Sequence, residues 1–138
     1  MQISINANRC EPSPMRKFHP LAVAAKKKGK KIYHLNIGQP DLPTPEAYYE
    51  AIHRFADRTL EYEASPGRPE LIQAVKNYYA ELNVPLEDND ILVTTGGSEA
   101  LLFTCLSILD PYTEVIIPEP YYPNYTTFVH AAGGVIRA

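Results

Sequence analysis

Five residues rich in β-branched side chains, Ile91-Leu92-Val93-Thr94-Thr95, run straight into Gly96-Gly97-Ser98, and a strongly apolar helical stretch from Glu99 to Leu109 follows without a spacer. A short apolar run bounded by glycine is the pattern of a buried parallel strand. A strand that opens a helix through such a tight turn needs that helix to pack back on its own sheet, and few architectures allow this.

The downstream sequence repeats the alternation. Asp110-Pro111 is a turn, Glu114 to Ile117 reads as a second strand, and Asn124 to Ala132 as a helix ended by Gly133-Gly134. Val135-Ile136 begins a third strand. Strand, helix, strand, helix, strand predicts an α/β fold with a mainly parallel sheet. The chain stops inside that last apolar strand and would leave a sheet edge uncovered, so the expectation is a truncated portion of a larger protein.

The upstream half is less regular. The first twenty residues are polar and broken by prolines, which predicts an arm rather than a packed element. A short helix is expected from Pro20 to Lys28 with Gly29 as its stop. The lysines at 26, 27, 28, 30 and 31 suit the negative end of that helix better than a nucleic-acid patch. Ile32 to Ile37 reads as extended. Thr44-Pro45-Glu46 carries the marks of a helix start, with apolar positions Tyr49, Ile52, Phe55 and Ala56 running to about Asp57. Pro69 opens another helix, whose face is Leu71, Ile72, Val75, Tyr79 and Leu82, closed by Val84-Pro85.

Several functional classes are disfavoured. A net charge of −3 gives no reason to expect a nucleic acid or a membrane surface as partner. No apolar run approaches the roughly 20 residues that span a bilayer, no secretory signal is evident, and the cytoplasm is the default. Cys10 and Cys105 lie far apart, with no metal-ligand or redox spacing. His19, His34, His53 and His130 form no ligand or catalytic-pair pattern, and no metal site is expected. Asn124-Tyr125-Thr126 fits a glycosylation acceptor, a chance match in a chain without a secretory signal.

The glycine turn carries the chemistry. The first turn of a helix has unpaired N–H groups and a partial positive charge, so it attracts anions. Glycines let the backbone approach a phosphate, and Ser98 adds a hydroxyl. No lysine follows the glycines, which excludes a P-loop, and the spacing is not that of a dinucleotide site. No glycine stands two residues after Ser98, which disfavours a hydrolase elbow. Taken alone, a tight strand-to-helix turn without any ligand would look the same.

Together with its neighbours the turn resembles the class I/II aminotransferases, pyridoxal-phosphate enzymes of fold type I. The matching words, in order, are Leu35-Asn36-Ile37-Gly38-Gln39-Pro40-Asp41 and Thr44-Pro45, then Tyr62 five residues before Gly67, and Pro69-Glu70-Leu71. There follow Thr94-Thr95-Gly96-Gly97-Ser98-Glu99-Ala100-Leu101, Leu109-Asp110-Pro111, Glu114-Val115, and Pro118-Glu119-Pro120-Tyr121-Tyr122-Pro123. The likeness runs from about residue 20 to the end.

The resemblance implies that Gly97, Ser98 and Glu99, through backbone amides and the serine hydroxyl, cradle the 5′-phosphate of pyridoxal phosphate. Tyr122 would stack on its ring. Gly38 would leave room for the substrate carboxylate, and Tyr62 would reach the neighbouring subunit's phosphate in a homodimer. Residues 1–44 would form an N-terminal arm and small-domain segment, and residues 45–138 an incomplete large cofactor-binding domain. The implied activity is transfer of an amino group from an L-amino acid to a 2-oxo acid. A pyridoxal-phosphate lyase of the same fold, or a non-catalytic phosphate-binding or dimerising module, are the alternatives. The Schiff-base lysine, the acid against the pyridinium and the carboxylate-gripping arginine lie in this family beyond residue 138. The last lysine here is Lys76, before the phosphate motif, so no turnover is expected from this chain alone.

Overall fold

The computed structural model describes residues 2–137, which separate into two compact units, 18–63 and 2–17 with 64–137.

The Phe18–Glu63 unit holds two helices. α2 (His19–Lys27) starts with proline in its first turn and ends on Lys26 and Lys27. Gly29 then turns left-handed at φ 76°, and the Lys30 amide returns to the Ala25 carbonyl at 3.1 Å, closing the helix as expected. α3 (Glu46–Arg54) begins after Pro45, but Thr44 makes no side-chain cap, and the helix ends at Arg54 rather than Asp57. Ile32 to Ile37 forms no strand: the backbone turns at Leu35-Asn36. A lone extended segment without a ladder partner has nothing to hold it straight.

The second unit contains the remaining elements. The N-terminal residues are not a loose arm. Ser4 caps a four-residue helix α1 (Ile5–Asn8), accepting from the Ala7 amide at 3.1 Å, and α1 packs on α6 (Asn124–Ala131). Asn6 Nδ2 and Arg9 Nη2 donate to the carbonyls of Ala131 (3.4 Å) and Gly134 (2.8 Å), and His130 Nδ1 pairs with the Arg9 carbonyl at 2.9 Å. Sequence patterning missed this clasp because it rests on main-chain acceptors, which carry no residue code.

α4 (Pro69–Glu81) buries Ile72, and Asn83 at φ 58° with Val84 ends it. A 3₁₀ turn follows at Asp88–Asp90, where the Glu87 and Asp90 carboxylates cap one another's amides. Ile91 to Thr95, expected as a buried parallel strand, forms no strand among the described residues, and none of its residues is buried, because no ladder partner stands beside it. It is fastened instead by the Val93 amide, which donates to the Pro66 carbonyl at 2.8 Å.

α5 (Gly97–Ile108), β1 (Glu114–Ile116), α6 and β2 (Val135–Arg137) follow in the expected order. β1 and β2 pair in parallel, Val115 opposite Ile136, with α6 as the crossover. Arg137 and Glu114 form an ion pair across the two strands. Val129 is the deepest apolar side chain, 3% exposed. It sits over Gly134, where a Cβ would come within 2.9 Å of Val129 Cγ1 and 3.0 Å of Leu109 Cδ1.

The turn before α4 fits Val93 equally closely. A Cβ on Gly67, at φ 118°, would lie 2.4 Å from Val93 Cγ2. Gly67→Ala is therefore expected to cost about 2–4 kcal/mol, from backbone strain added to overpacking. Urea unfolding of the protein expressed from its complete gene measures this; a loss below about 1 kcal/mol would show that the turn and Val93 are not in tight register.

Candidate functional site

The helix start at Gly97 follows a turn held by several hydrogen bonds of its own. Gly96 is the N-cap, at φ 91° and ψ 169°, a backbone region that essentially only glycine enters. A glycine cap has no side chain to fold over the helix end, and none caps this one. Other groups hold the turn. The Gly96 amide donates to the Thr94 carbonyl at 2.8 Å, and Thr94 Oγ1 donates to the Gly96 carbonyl at 3.0 Å. The Thr95 amide donates to Glu99 Oε2 at 2.6 Å.

The consequence is a short inventory of free donors. The Glu99 and Ala100 amides turn back to the Gly96 carbonyl at 3.2 and 3.3 Å. Among the described residues nothing accepts from the Gly97 or Ser98 amides, and the Ser98 hydroxyl makes no hydrogen bond. Two adjacent N–H groups and a hydroxyl, at the positive end of a twelve-residue helix, form a donor set with the chemistry of a phosphate site. Gly96, Gly97 and Ser98 are exposed, and a Cβ at Gly96 or Gly97 would meet nothing within 4 Å. The glycines serve backbone shape and access rather than packing.

Of the residues singled out in the sequence, Gly97, Ser98, Glu99 and Tyr122 lie in one unit, and Gly38 and Tyr62 in the other. Glu99 sends its amide to Gly96 and its carboxylate to Thr95, so its hydrogen-bonding groups face the turn itself. Tyr122 stands at the entry to α6, half exposed, in the stretch that contains the cis Glu119-Pro120 bond. Its ring meets Tyr125 edge-on at 5.7 Å, and its hydroxyl accepts from Asn124 Nδ2 at 2.9 Å. An edge contact occupies only part of an aromatic surface, and about half of Tyr122 remains exposed. α5 and α6 pack against each other, so the glycine turn and the tyrosine loop are borne on a shared pair of helices. Gly38 is exposed just after the turn at Leu35-Asn36, where an added Cβ would meet nothing within 4 Å, and Tyr62 is fully exposed.

Two open clefts lie elsewhere in the same unit. One, of about 960 Å³, runs between Glu11–Arg16 and the loop from Glu119 to Thr127, and the other, of about 770 Å³, borders α4. Neither is lined by Gly96, Gly97 or Ser98.

The lysine nearest to the turn in sequence is unsuited to covalent chemistry. Lys76 Nζ donates to Asp88 Oδ1 at 2.6 Å, and that hydrogen bond, with the surrounding acids, pushes its pKa up and keeps the amine charged. A nucleophilic amine has to be neutral. Cys105 is a free thiol, its pKa raised by burial. Among the described residues no cluster of His, Cys, Asp and Glu could hold a metal, and no helix is long and apolar enough to cross a membrane.

Residues 30–138 match the family described as aminotransferase class I and II. Aspartate aminotransferase of Rhizobium meliloti is 37% identical over 127 residues, which is 88% of this chain and 30% of that protein. A solved double mutant of Thermus thermophilus aspartate aminotransferase superposes with a TM-score of 0.91 at 32% identity, over 99% of this chain and 36% of that one. An alanine aminotransferase from Pyrococcus furiosus gives 0.83 at 34%, over 98% of this chain and 35% of that one. The chain spans about a third of the length of these relatives.

The two glycines should respond differently to the same added methyl. Gly96→Ala is expected to lower stability by about 1–3 kcal/mol, because alanine is strained at that φ and ψ. Gly97→Ala, at a helical position with open space, is expected to change stability by less than about 1 kcal/mol. Chemical denaturation of both variants checks the difference, and equal losses would contradict the geometry of the turn.

Proposed function

The chain belongs to the class I and II aminotransferase family, and from that premise we propose that the protein carrying it moves an amino group from an L-amino acid to a 2-oxo acid, using pyridoxal 5′-phosphate. When bound, that cofactor supplies an electron sink for charge developing at the substrate Cα. The observation that carries the reading is the pair of unpaired amides at Gly97 and Ser98, beside the Ser98 hydroxyl, on the N-terminus of α5.

This chain's residues then have separable tasks. Gly97 and Ser98 hold the phosphate with neutral donors, to which the field of the helix adds. The backbone amide of Glu99 joins them by sharing its long bond to the Gly96 carbonyl. Tyr122 presents its ring face to the pyridine ring and restricts rotation about the phosphate anchor. Gly38 leaves space for the substrate carboxylate, which its missing side chain and its amide both favour. Tyr62 donates to the phosphate of a neighbouring subunit, which makes the working unit a homodimer. Residues 45–138 belong to the large cofactor-binding domain, and residues 1–44 to the arm and small-domain segment. The cytoplasm is the proposed location.

Proton transfer at the substrate Cα requires a neutral lysine, and in this chain Lys76 is held charged by Asp88. By the resemblance to the family, the lysine, the acid against the pyridinium and the carboxylate-binding arginine are assigned to other parts of the protein. The relatives are named for aspartate and for alanine, so the acceptor class stays at 2-oxo acids.

The protein expressed from its complete gene, given pyridoxal phosphate, an L-amino acid and a 2-oxo acid, is expected to yield the amino acid corresponding to that 2-oxo acid. Chromatography of the products measures this. Ammonia and pyruvate in place of a new amino acid would move the assignment to a lyase, and absence of both would remove the enzymatic reading. Ser98→Ala is expected to raise the cofactor dissociation constant about tenfold, the effect of one hydrogen bond to a charged group.

A further inference from the structure

A glycine N-cap solves one problem and creates another. It leaves the Ser98 amide free alongside that of Gly97, because no cap side chain competes for the second amide of the helix. It also removes restraint, since glycine visits left-handed and right-handed backbone with almost equal ease. Donors can bind an anion tightly only if they already point together, because ordering them on binding costs affinity.

The structure shows what supplies the missing restraint. Glu99 is the third residue of α5, and its side chain folds back past the cap. Its Oε2 accepts from the Thr95 amide at 2.6 Å, the shortest of the hydrogen bonds that close this turn. A carboxylate at this place is favoured by the helix field, and its reach resembles one half of a capping box, displaced by one residue towards the strand. It spans Gly96 on the outside, so the φ of Gly96 is fixed from both ends, by Thr95 before it and by the helix after it.

We infer that the Glu99 carboxylate is a positioning group for the phosphate site: it locks the Thr95-Gly96 turn so that the Gly97 and Ser98 donors converge before any anion arrives. This rests on the proposed reading of the turn as a phosphate cradle. It extends that reading, because in the resemblance Glu99 contributes only a backbone amide. The carboxylate works by geometry and against its own charge, since a negative group beside a phosphate repels it. Length and acceptor character are what the site requires, and charge is dispensable.

Three variants of the protein from its complete gene separate these factors. Glu99→Gln keeps the acceptor and the reach and loses the charge. Glu99→Asp keeps the charge and loses the reach, and Glu99→Ala loses both. Affinities for pyridoxal phosphate and for inorganic phosphate are measured by titration, and hydrogen–deuterium exchange follows the peptide containing Thr95. Glu99→Ala and Glu99→Asp are expected to weaken both ligands about tenfold and to speed exchange at Thr95, while Glu99→Gln stays within about threefold of the parent. Pyridoxal without its phosphate, competing for the same site, should not distinguish the variants. Should Glu99→Ala fail to fold by circular dichroism, the Asp and Gln pair decides alone. Unchanged affinity and exchange in Glu99→Asp, or equal losses in Gln and Asp, would overturn the inference while leaving the cradle standing. A parent protein that binds neither phosphate compound would overturn the cradle, and this inference with it.

Discussion

One backbone constraint organises the turn at the head of α5: Gly96 must sit where essentially only glycine can, so that the helix can start at Gly97, with two residues between it and the Ile91–Thr94 segment. An ordinary N-cap with a polar side chain would stabilise the helix by about 1 kcal/mol, and it would also consume an amide. The sequence forgoes that gain. What it keeps is a pair of adjacent unpaired donors at the positive end of a helix.

The surrounding structure serves that turn from several directions. Val93 is tied to Pro66 and packs on Gly67, so the segment leading into the turn is held without a strand ladder. α5 leaves the turn and packs on α6, whose entry carries Tyr122. α6 is in turn clasped by the N-terminal residues through Asn6, Arg9 and His130, and packs closely on Gly134 through Val129. β1 and β2, joined by α6, pair in parallel, and α6 packs on β2. Most large apolar side chains of α5 remain exposed, among them Leu101, Phe103, Leu106 and Ile108. A helix apolar on every side needs cover, and relatives about three times the length of this chain have more structure with which to provide it.

The legible part of the fold was the part in which residue type and backbone shape coincide. Glycine and proline marked the ends of α2, α4, α5 and α6 to within a residue or two, because each imposes a dihedral that few other residues accept. The parallel pairing of β1 with β2 followed from the helix between them. The tight turn into a helix was readable from Gly96, Gly97 and Ser98, and the structure shows it with the Gly97 and Ser98 amides unpaired; that an anion uses them is the proposal. Three features were not readable, for the same reason: they depend on main-chain groups or on missing neighbours. α1 with its clasp uses carbonyl acceptors, the Ile91–Thr94 segment lacks a strand partner, and Ile32 to Ile37 has no sheet to join. The Glu99 carboxylate had a weak signal, an acid in the first turn behind a glycine cap. A capping-box search misses it because the cap here has no hydroxyl.

The account stands or falls on where a phosphate goes. A crystal structure of the protein from its complete gene, grown with pyridoxal phosphate, measures this directly. It should place phosphate oxygens within about 3.2 Å of the Gly97 and Ser98 amides and of Ser98 Oγ, with the Glu99 carboxylate still on the Thr95 amide. A phosphate bound elsewhere, or one that reaches this helix end only after the Gly96 turn has changed its φ and ψ, would contradict it.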